Sequence, residues 1–388
     1  MNSTFECVVS DIISRTQERY SMSNQPIGAW FEKNICICRT TIIDESQRFY
    51  DNMRAGRLST LSDLKDEKYF NNSYFESKAL CALFWSFQKT VLDHWDLLTR
   101  TNAFEEVQNS SLFASLSSNL SMMSCLDKSI KASGDFFLYS ADCKSDSTES
   151  RLGTDFGIII PIANDKYKVA LFQAKKANHD EATSIERESP GGSHYQQLTR
   201  MLDVEKPWLT EDTYEPSQNP EYEGSLFGRL CFYVFWHDPR TYLLPTILSA
   251  IQANHQIEKN TGVSYLEKGS TKVSVRKSDM NIAPLCGGTW FSEAISLLLT
   301  DPQANFGIEM TKEDICELLE SETAKPRQIL GVRIPSNTLN LGDWRDIFPE
   351  KLVENEKFFL DGKEYIGREE FNLAKPQPGK SSPSEPAP

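Results

Sequence analysis

Two neighbouring stretches of this chain carry an acid, an amide and an amine at a spacing that suits chemistry on a phosphate. The first runs Gly153-Thr154-Asp155-Phe156-Gly157-Ile158-Ile159-Ile160 and the second Val169-Ala170-Leu171-Phe172-Gln173-Ala174-Lys175-Lys176. Both have the β-branched and aromatic content of buried strands, and Asn164-Asp165 between them is turn chemistry, so the pair reads as a hairpin at the centre of a sheet. A core strand gains nothing from a charge. Asp155 nevertheless heads the first strand, while Gln173 and Lys175 end the second and, being two apart, project from one face, with Ala174 on the other. A carboxylate and an amide oxygen are hard ligands for a divalent cation, and an ammonium group beside them can orient a water molecule and take up charge on a phosphate.

The register of the hairpin decides whether these groups meet. A clean two-residue loop at Asn164-Asp165 would put Asp155 on Ala174's side of the sheet and take the site apart. The reading therefore requires an odd-length loop centred on Asn164 or Asp165, or a bulge near Asp155.

The combination of an aspartate at a strand head with Gln173-Ala174-Lys175 on the next strand resembles the PD-(D/E)xK nuclease superfamily, and within it the Mrr-like restriction branch, where glutamine replaces the acid of the final triplet. The resemblance implies an α/β fold, a restriction-endonuclease-like αβββαβ core with a mixed central sheet. It implies Mg²⁺ as cofactor, with Mn²⁺ as substitute, held by Asp155 and by the side-chain oxygen of Gln173, while Lys175 positions the attacking water. The family also supplies an acid upstream of the strand pair, usually from the first core helix. Among Asp142, Asp146 and Glu149 in the polar segment before Asp155, Glu149 is favoured, because it can reach the pocket across the Arg151-Leu152-Gly153 bend. A helix bearing glutamine follows the lysine strand in many of these nucleases, so Gln196, Gln197 and Arg200, with Lys176, are candidate substrate contacts. The activity implied is metal-dependent DNA endonuclease cleavage in bacterial restriction or anti-phage defence. Replacing an acid by Gln173 removes one negative charge from the site, so the alternative is a catalytically weak nuclease-fold scaffold or binding subunit of a multi-protein complex. RNA and single-stranded substrates stay open.

Composition sets the outer bounds. With 388 residues, 39% hydrophobic and 25% charged, the chain has the make-up of a globular protein with a sizeable core. It contains no apolar run long enough to cross a bilayer, and Met1-Asn2-Ser3-Thr4-Phe5-Glu6 lacks the basic start and apolar body of a signal peptide, so a cytoplasmic protein without membrane contact is expected. Nine scattered cysteines argue for reduced thiols, and Cys36-Ile37-Cys38 reads as strand alternation rather than a zinc site. A formal charge of −14 opposes DNA binding by the bulk surface. Lys166, Lys168, Lys175, Lys176, Arg187 and Arg200 surround the site, and a partner protein that delivers or grips the DNA would answer the deficit. A homodimer is compatible with the same facts.

The chain divides into residues 1–75 without recognisable chemistry, a nuclease-like core over 76–240, an α+β region over 241–372 that could extend the sheet or bind DNA or a partner, and a disordered Pro-rich tail over 373–388. Helical periodicity marks Glu76 to Arg100, with His94 as a packed core residue, and Phe104 to Ile130. Gly134 to Ser140 is expected to open the sheet. Ser193 is an N-cap candidate for a helix from His194 to Leu202, and Phe227 to Trp236 reads as the next buried strand. His237-Asp238-Pro239 is turn chemistry. Tyr242 to Gln256 and Trp290 to Leu299 are expected to be helical, with strands over Val263 to Val275 and Gln328 to Ile334.

Overall fold

The computed structural model describes residues 78–84, 86–87, 90, 105–126, 129–130, 136–141, 154–162, 166–177, 182–185, 197–209, 229–237, 245–265, 280–284, 289–291, 294–295, 298, 307–320, 326, 328–332 and 352–354. A long helix, α1 (Glu105–Leu126), is followed by strands β1 (Phe136–Ala141), β2 (Phe156–Ile162) and β3 (Lys166–Lys176). After a two-residue strand, β4 (Thr183–Ser184), come helix α2 (Gln197–Glu205) and strand β5 (Cys231–Trp236). The remaining strands are β6 (Thr246–Ser249), β7 (Asn281–Ile282), β8 (Thr289–Trp290), β9 (Ile308–Thr311), β10 (Gln328–Val332) and β11 (Leu352–Glu354). Helices α3 (Ala250–Thr261) and α4 (Lys312–Glu320) lie among them.

The fold is α/β with a mixed sheet of nine strands, in the order β11-β1-β10-β2-β3-β5-β6-β8, with β9 also pairing β3. The strand at its centre is β3. It is antiparallel to β2 over its first part, parallel to β5 over its second, and antiparallel to β9 at its start. Parallel pairing of β3 with β5 needs a crossover, and α2 supplies it. Strands from the second half of the chain enter the same sheet, and β10 is inserted between β1 and β2, antiparallel to the one and parallel to the other.

Alternation on these strands creates two cores. One face presents Phe156, Ile158, Phe172, Ala174, Phe232 and Trp236 to α1 and to a helical stretch through residues 78–84. Phe156 stacks on Phe172 at 4.9 Å and Phe172 on Phe232 at 5.6 Å, an aromatic row across three strands that fixes their register. The other face presents Ile159, Val169, Leu171, Tyr233 and Phe235 to α2, α3 and α4. Gly307, at φ 74°, turns the chain into β9 so close to β3 that a Cβ there would sit 2.9 Å from the Val169 carbonyl oxygen.

α1 is buried on more than one side, which explains its many serines. Small side chains let it lie between the sheet and the preceding helical stretch, where Asn119 Nδ2 donates to Thr90 Oγ1 at 2.9 Å. Two sequence expectations need correction. Tyr242 to Gln256 is not one helix: Thr246-Ile247-Leu248-Ser249 is a fully buried strand, and the helix starts at Ala250 behind a capping box of Ser249 and Gln252. A short continuous apolar run does not distinguish strand from helix by periodicity, and here the sheet claimed it. Val263-Ser264-Tyr265 is likewise not strand; it folds back on α3, with Tyr265 N–H donating to Asn254 Oδ1 at 2.8 Å. Cys36, His94, Ser193 and the Pro-rich tail lie outside the described residues.

Candidate functional site

β2 and β3 pair with Ile162 opposite Lys166, so three residues, centred on Asn164, join them. This is the odd register, and it carries Asp155 to the level of Gln173. Beyond Phe172, β3 runs on without β2 beside it, still paired to β5 on its other edge. Its next backbone N–H groups on the β2 side would be orphaned in a half-buried place. Side chains take them: Asp155 Oδ2 accepts from Ala174 N at 2.9 Å, and Glu105 Oε1, at the start of α1, accepts from Lys176 N at 2.9 Å. Two carboxylates thus stand in for the missing strand, on N–H groups that the strand rise sets about 7 Å apart along β3. Both acids are partly exposed.

Gln173 Nε2 donates to the same Asp155 oxygen at 2.8 Å and also to the Ala174 carbonyl at 3.2 Å. From the other face of the sheet, Asn109 Nδ2 approaches Asp155 Oδ2 at 3.4 Å, while its Oδ1 accepts from Trp236 Nε1 at 3.2 Å. Asp155 is therefore held where the sheet ends, reached by an amide from each side and by a backbone N–H. Lys175 shares the Gln173 face by alternation, and its ammonium is hydrogen-bonded to Gln197 Oε1 at the start of α2. Gln173 and Lys175 are 4% and 3% exposed, so each polar head depends on the partners just named rather than on bulk water.

The structure thus brings Asp155 and Gln173 into direct contact and sets Lys175 next along the strand against Gln197. Lys176 and Arg200 are partly exposed at the same end of β3 and α2. Glu149 and Gln196 lie outside the described residues. Sequence reasoning missed Glu105, Asn109 and Trp236. A signal did exist: Glu105 and Asn109 are four apart, hence on one face of α1, at a place where a core helix would carry apolar residues.

The residue types fit a hard divalent cation, because Asp155 has a carboxylate at a partly open sheet end and Gln173, in contact with it, has a carboxamide oxygen that could join it if the amide turned over. Among the described residues there is no group of three or more His, Cys, Asp and Glu side chains suited to a metal. In the present arrangement Gln173 turns its nitrogen, not its oxygen, toward Asp155.

A second polar cluster closes the far end of α2. Glu205 is fully buried, its Oε1 accepting from Leu230 N at 3.1 Å, and Arg229 beside it is 2% exposed. Burial raises the Glu205 carboxyl from its ordinary 4.5 to about 7, against the opposing pull of Arg229 and of the Leu230 and Cys231 N–H groups. Burial also lowers Arg229 and, with Glu205, raises the Cys231 thiol. His237 follows β5 as a buried residue bonded through Nε2 to Thr246 Oγ1 at 2.8 Å, a link between β5 and β6. No helix among the described residues is long and apolar enough to cross a membrane. Comparison with protein-family models, curated proteins and solved structures finds no match.

Proposed function

We propose that this chain is a divalent-cation-dependent nuclease whose site is built from Asp155, Gln173 and Lys175. The observation that carries the reading is the direct contact of Asp155 with Gln173 across a hairpin of odd register, with Lys175 two residues further on the same strand. Apart from the two-residue β4, which pairs outside the main sheet, helix α1, strands β1 to β3, helix α2 and strand β5 come in the αβββαβ order of the PD-(D/E)xK superfamily, which supports the same reading. So does Gln197, whose oxygen holds the Lys175 ammonium from the helix that follows the lysine strand.

Mg²⁺ or Mn²⁺ bound by Asp155, the Gln173 oxygen and Glu149 would neutralise phosphate charge and polarise a water molecule. The chain's own groups do the rest. The carboxylate of Asp155 is aimed by the Ala174 N–H and by Asn109. Gln197 fixes the Lys175 ammonium, which is then a preorganised donor to the attacking water or to a phosphate oxygen. Glu105 is a further acid at the same sheet end, from the helix that opens the core. DNA is the proposed substrate and restriction or anti-phage defence the proposed setting. Lys176 and Arg200 are the proposed phosphate contacts, and a partner protein would compensate the charge of −14.

The test is incubation of supercoiled and linear DNA with Mg²⁺ or Mn²⁺, comparing wild type with Lys175→Ala and Asp155→Ala. Nicking should fall by roughly 10²–10⁴ in both variants, the range for loss of a group that positions or transfers a proton. Cleavage that survives unchanged in Lys175→Ala overturns the assignment. A wild type inert even with partner subunits supports a scaffold that keeps the fold without the reaction.

A further inference from the structure

We propose that Gln173 gates cation binding as well as serving as a ligand: its NH₂ group fills the side of Asp155 that an ion would take, and the amide must turn over before an ion can enter. This rests on the reading that Asp155 holds a divalent cation.

The orientation of the amide follows from its neighbours. Nε2 lies 2.8 Å from Asp155 Oδ2 and 3.2 Å from the Ala174 carbonyl oxygen. Both neighbours are acceptors with nothing to donate, one a carboxylate and the other a backbone carbonyl. A glutamine oxygen in that position would face two oxygen atoms, so only the nitrogen fits, and both of its hydrogens are used. The amide thereby supplies, in the absence of an ion, part of the positive electrostatic environment that an ion would supply. Two further donors, Ala174 N and Asn109 Nδ2, reach the same Oδ2, so the carboxylate is well satisfied without an ion. An entering cation must break two hydrogen bonds, at a site where Gln173 is 4% exposed and water cannot readily replace them. A glutamate at 173 has no such closed state, since it would set a carboxylate against a carboxylate and a carbonyl. In the wild type, cation occupancy is therefore low until something else favours the turned amide, such as a phosphate or a partner that draws the NH₂ away. The glutamine thus makes cation loading conditional on a further event at the site.

Two measurements on the full chain decide this. In EDTA, Gln173→Glu should raise the unfolding equilibrium constant about tenfold to hundredfold, and the swapped pair Asp155→Asn with Gln173→Glu should recover part of that loss, because the asparagine amide can donate to the glutamate while the Ala174 carbonyl still faces it. In Mn²⁺ titrations by calorimetry, Gln173→Ala should bind Mn²⁺ at least as tightly as wild type, since the block leaves together with the ligand. If Gln173 is a simple ligand, the alanine variant binds Mn²⁺ about tenfold more weakly, and that result overturns the gate while leaving the nuclease reading in place. An EDTA stability that ignores Gln173→Glu overturns it as well. If neither wild type nor variants bind Mn²⁺, the cation reading and the gate fall together.

Discussion

The two ends of α2 hold two polar clusters inside one fold, and they are built on opposite plans. At its C-terminal end, Glu205 and Arg229 are sealed, 0% and 2% exposed, near enough for Arg229 to oppose the burial shift of Glu205, whose Oε2 accepts no hydrogen bond. At its N-terminal end, Gln197 grips Lys175, and beyond it lies the partly exposed Asp155, with donors converging on one of its oxygens. A sealed carboxyl and guanidinium offer nothing to a substrate, because neither is open to solvent. A carboxylate held by amides at the point where a strand gives out can exchange those donors for something else. Both ends bury a charge, Lys175 at 3% and Arg229 at 2% exposed, so burial does not tell them apart; partial exposure and the convergence of donors set Asp155 off.

The comparison breaks most sharply on stability. Arg229→Met takes away the cation that favours the charged form of the buried Glu205 and should cost about 3–5 kcal/mol at about pH 8, where that carboxyl is ionised, the range for removing the partner of a buried charge. Asp155→Asn should cost roughly 1–2 kcal/mol, since the backbone N–H of Ala174 keeps an acceptor. Urea denaturation of the two variants in EDTA measures both. The reverse ranking would make the Asp155 end the structural one and the Glu205 end the candidate for function.

Much of the fold at the Asp155 end was legible because one strand pair dominates it. Continuous apolar runs mark β2, β3 and β5, and the requirement that Asp155 share a face with Gln173 selects the odd register. What could not be read is what the third dimension adds at the sheet's end. Glu105 and Asn109 matter only because β2 stops while β3 continues, exposing the N–H groups of Ala174 and Lys176. Gln173 reads from its neighbours in sequence as an oxygen ligand, but the Ala174 carbonyl and Asp155 oblige it to present nitrogen. The helix α1 is serine-rich and buried on more than one side, so no apolar stripe reveals its packing. The strand β6 was mistaken for helix because its four buried residues have no period of their own. The pairing of β10 between β1 and β2 joins residues far apart in the chain, and no local pattern encodes it.

The second test sharpens the contrast through pH. Glu205 binds its proton more tightly folded than unfolded, with its carboxyl raised from 4.5 to about 7. Between these values the native state holds more protons than the unfolded one, so stability falls as pH rises. The contribution is fully present below about pH 4.5 and gone above about pH 7, a loss on the order of 3 kcal/mol at 1.36 kcal/mol per unit. Glu205→Gln should flatten this part of the profile, measured as unfolding free energy from pH 4.5 to 8. A wild-type profile that stays flat there would mean that Arg229 keeps Glu205 ionised throughout, and that the sealed end is a fully charged pair.

The smallest expected effect probes how the open end is aimed. Trp236 Nε1 can only donate, so Asn109 must give it Oδ1 and is left with Nδ2 for Asp155. Trp236→Phe keeps an aromatic ring against Phe291 but removes the donor, and the Asn109 amide is then free to turn over. Asn109→Leu removes the amide outright. Each single change should weaken the Asn109–Asp155 contact by about 1 kcal/mol, the net worth of one hydrogen bond, after allowance for the packing change measured in an Asp155→Asn background. The double variant should lose little more than Asn109→Leu alone, because both changes cut the same chain of contacts. Full additivity in that cycle would mean that Trp236 and Asn109 act separately, and that Asp155 is aimed by Ala174 N and Gln173 without help from α1.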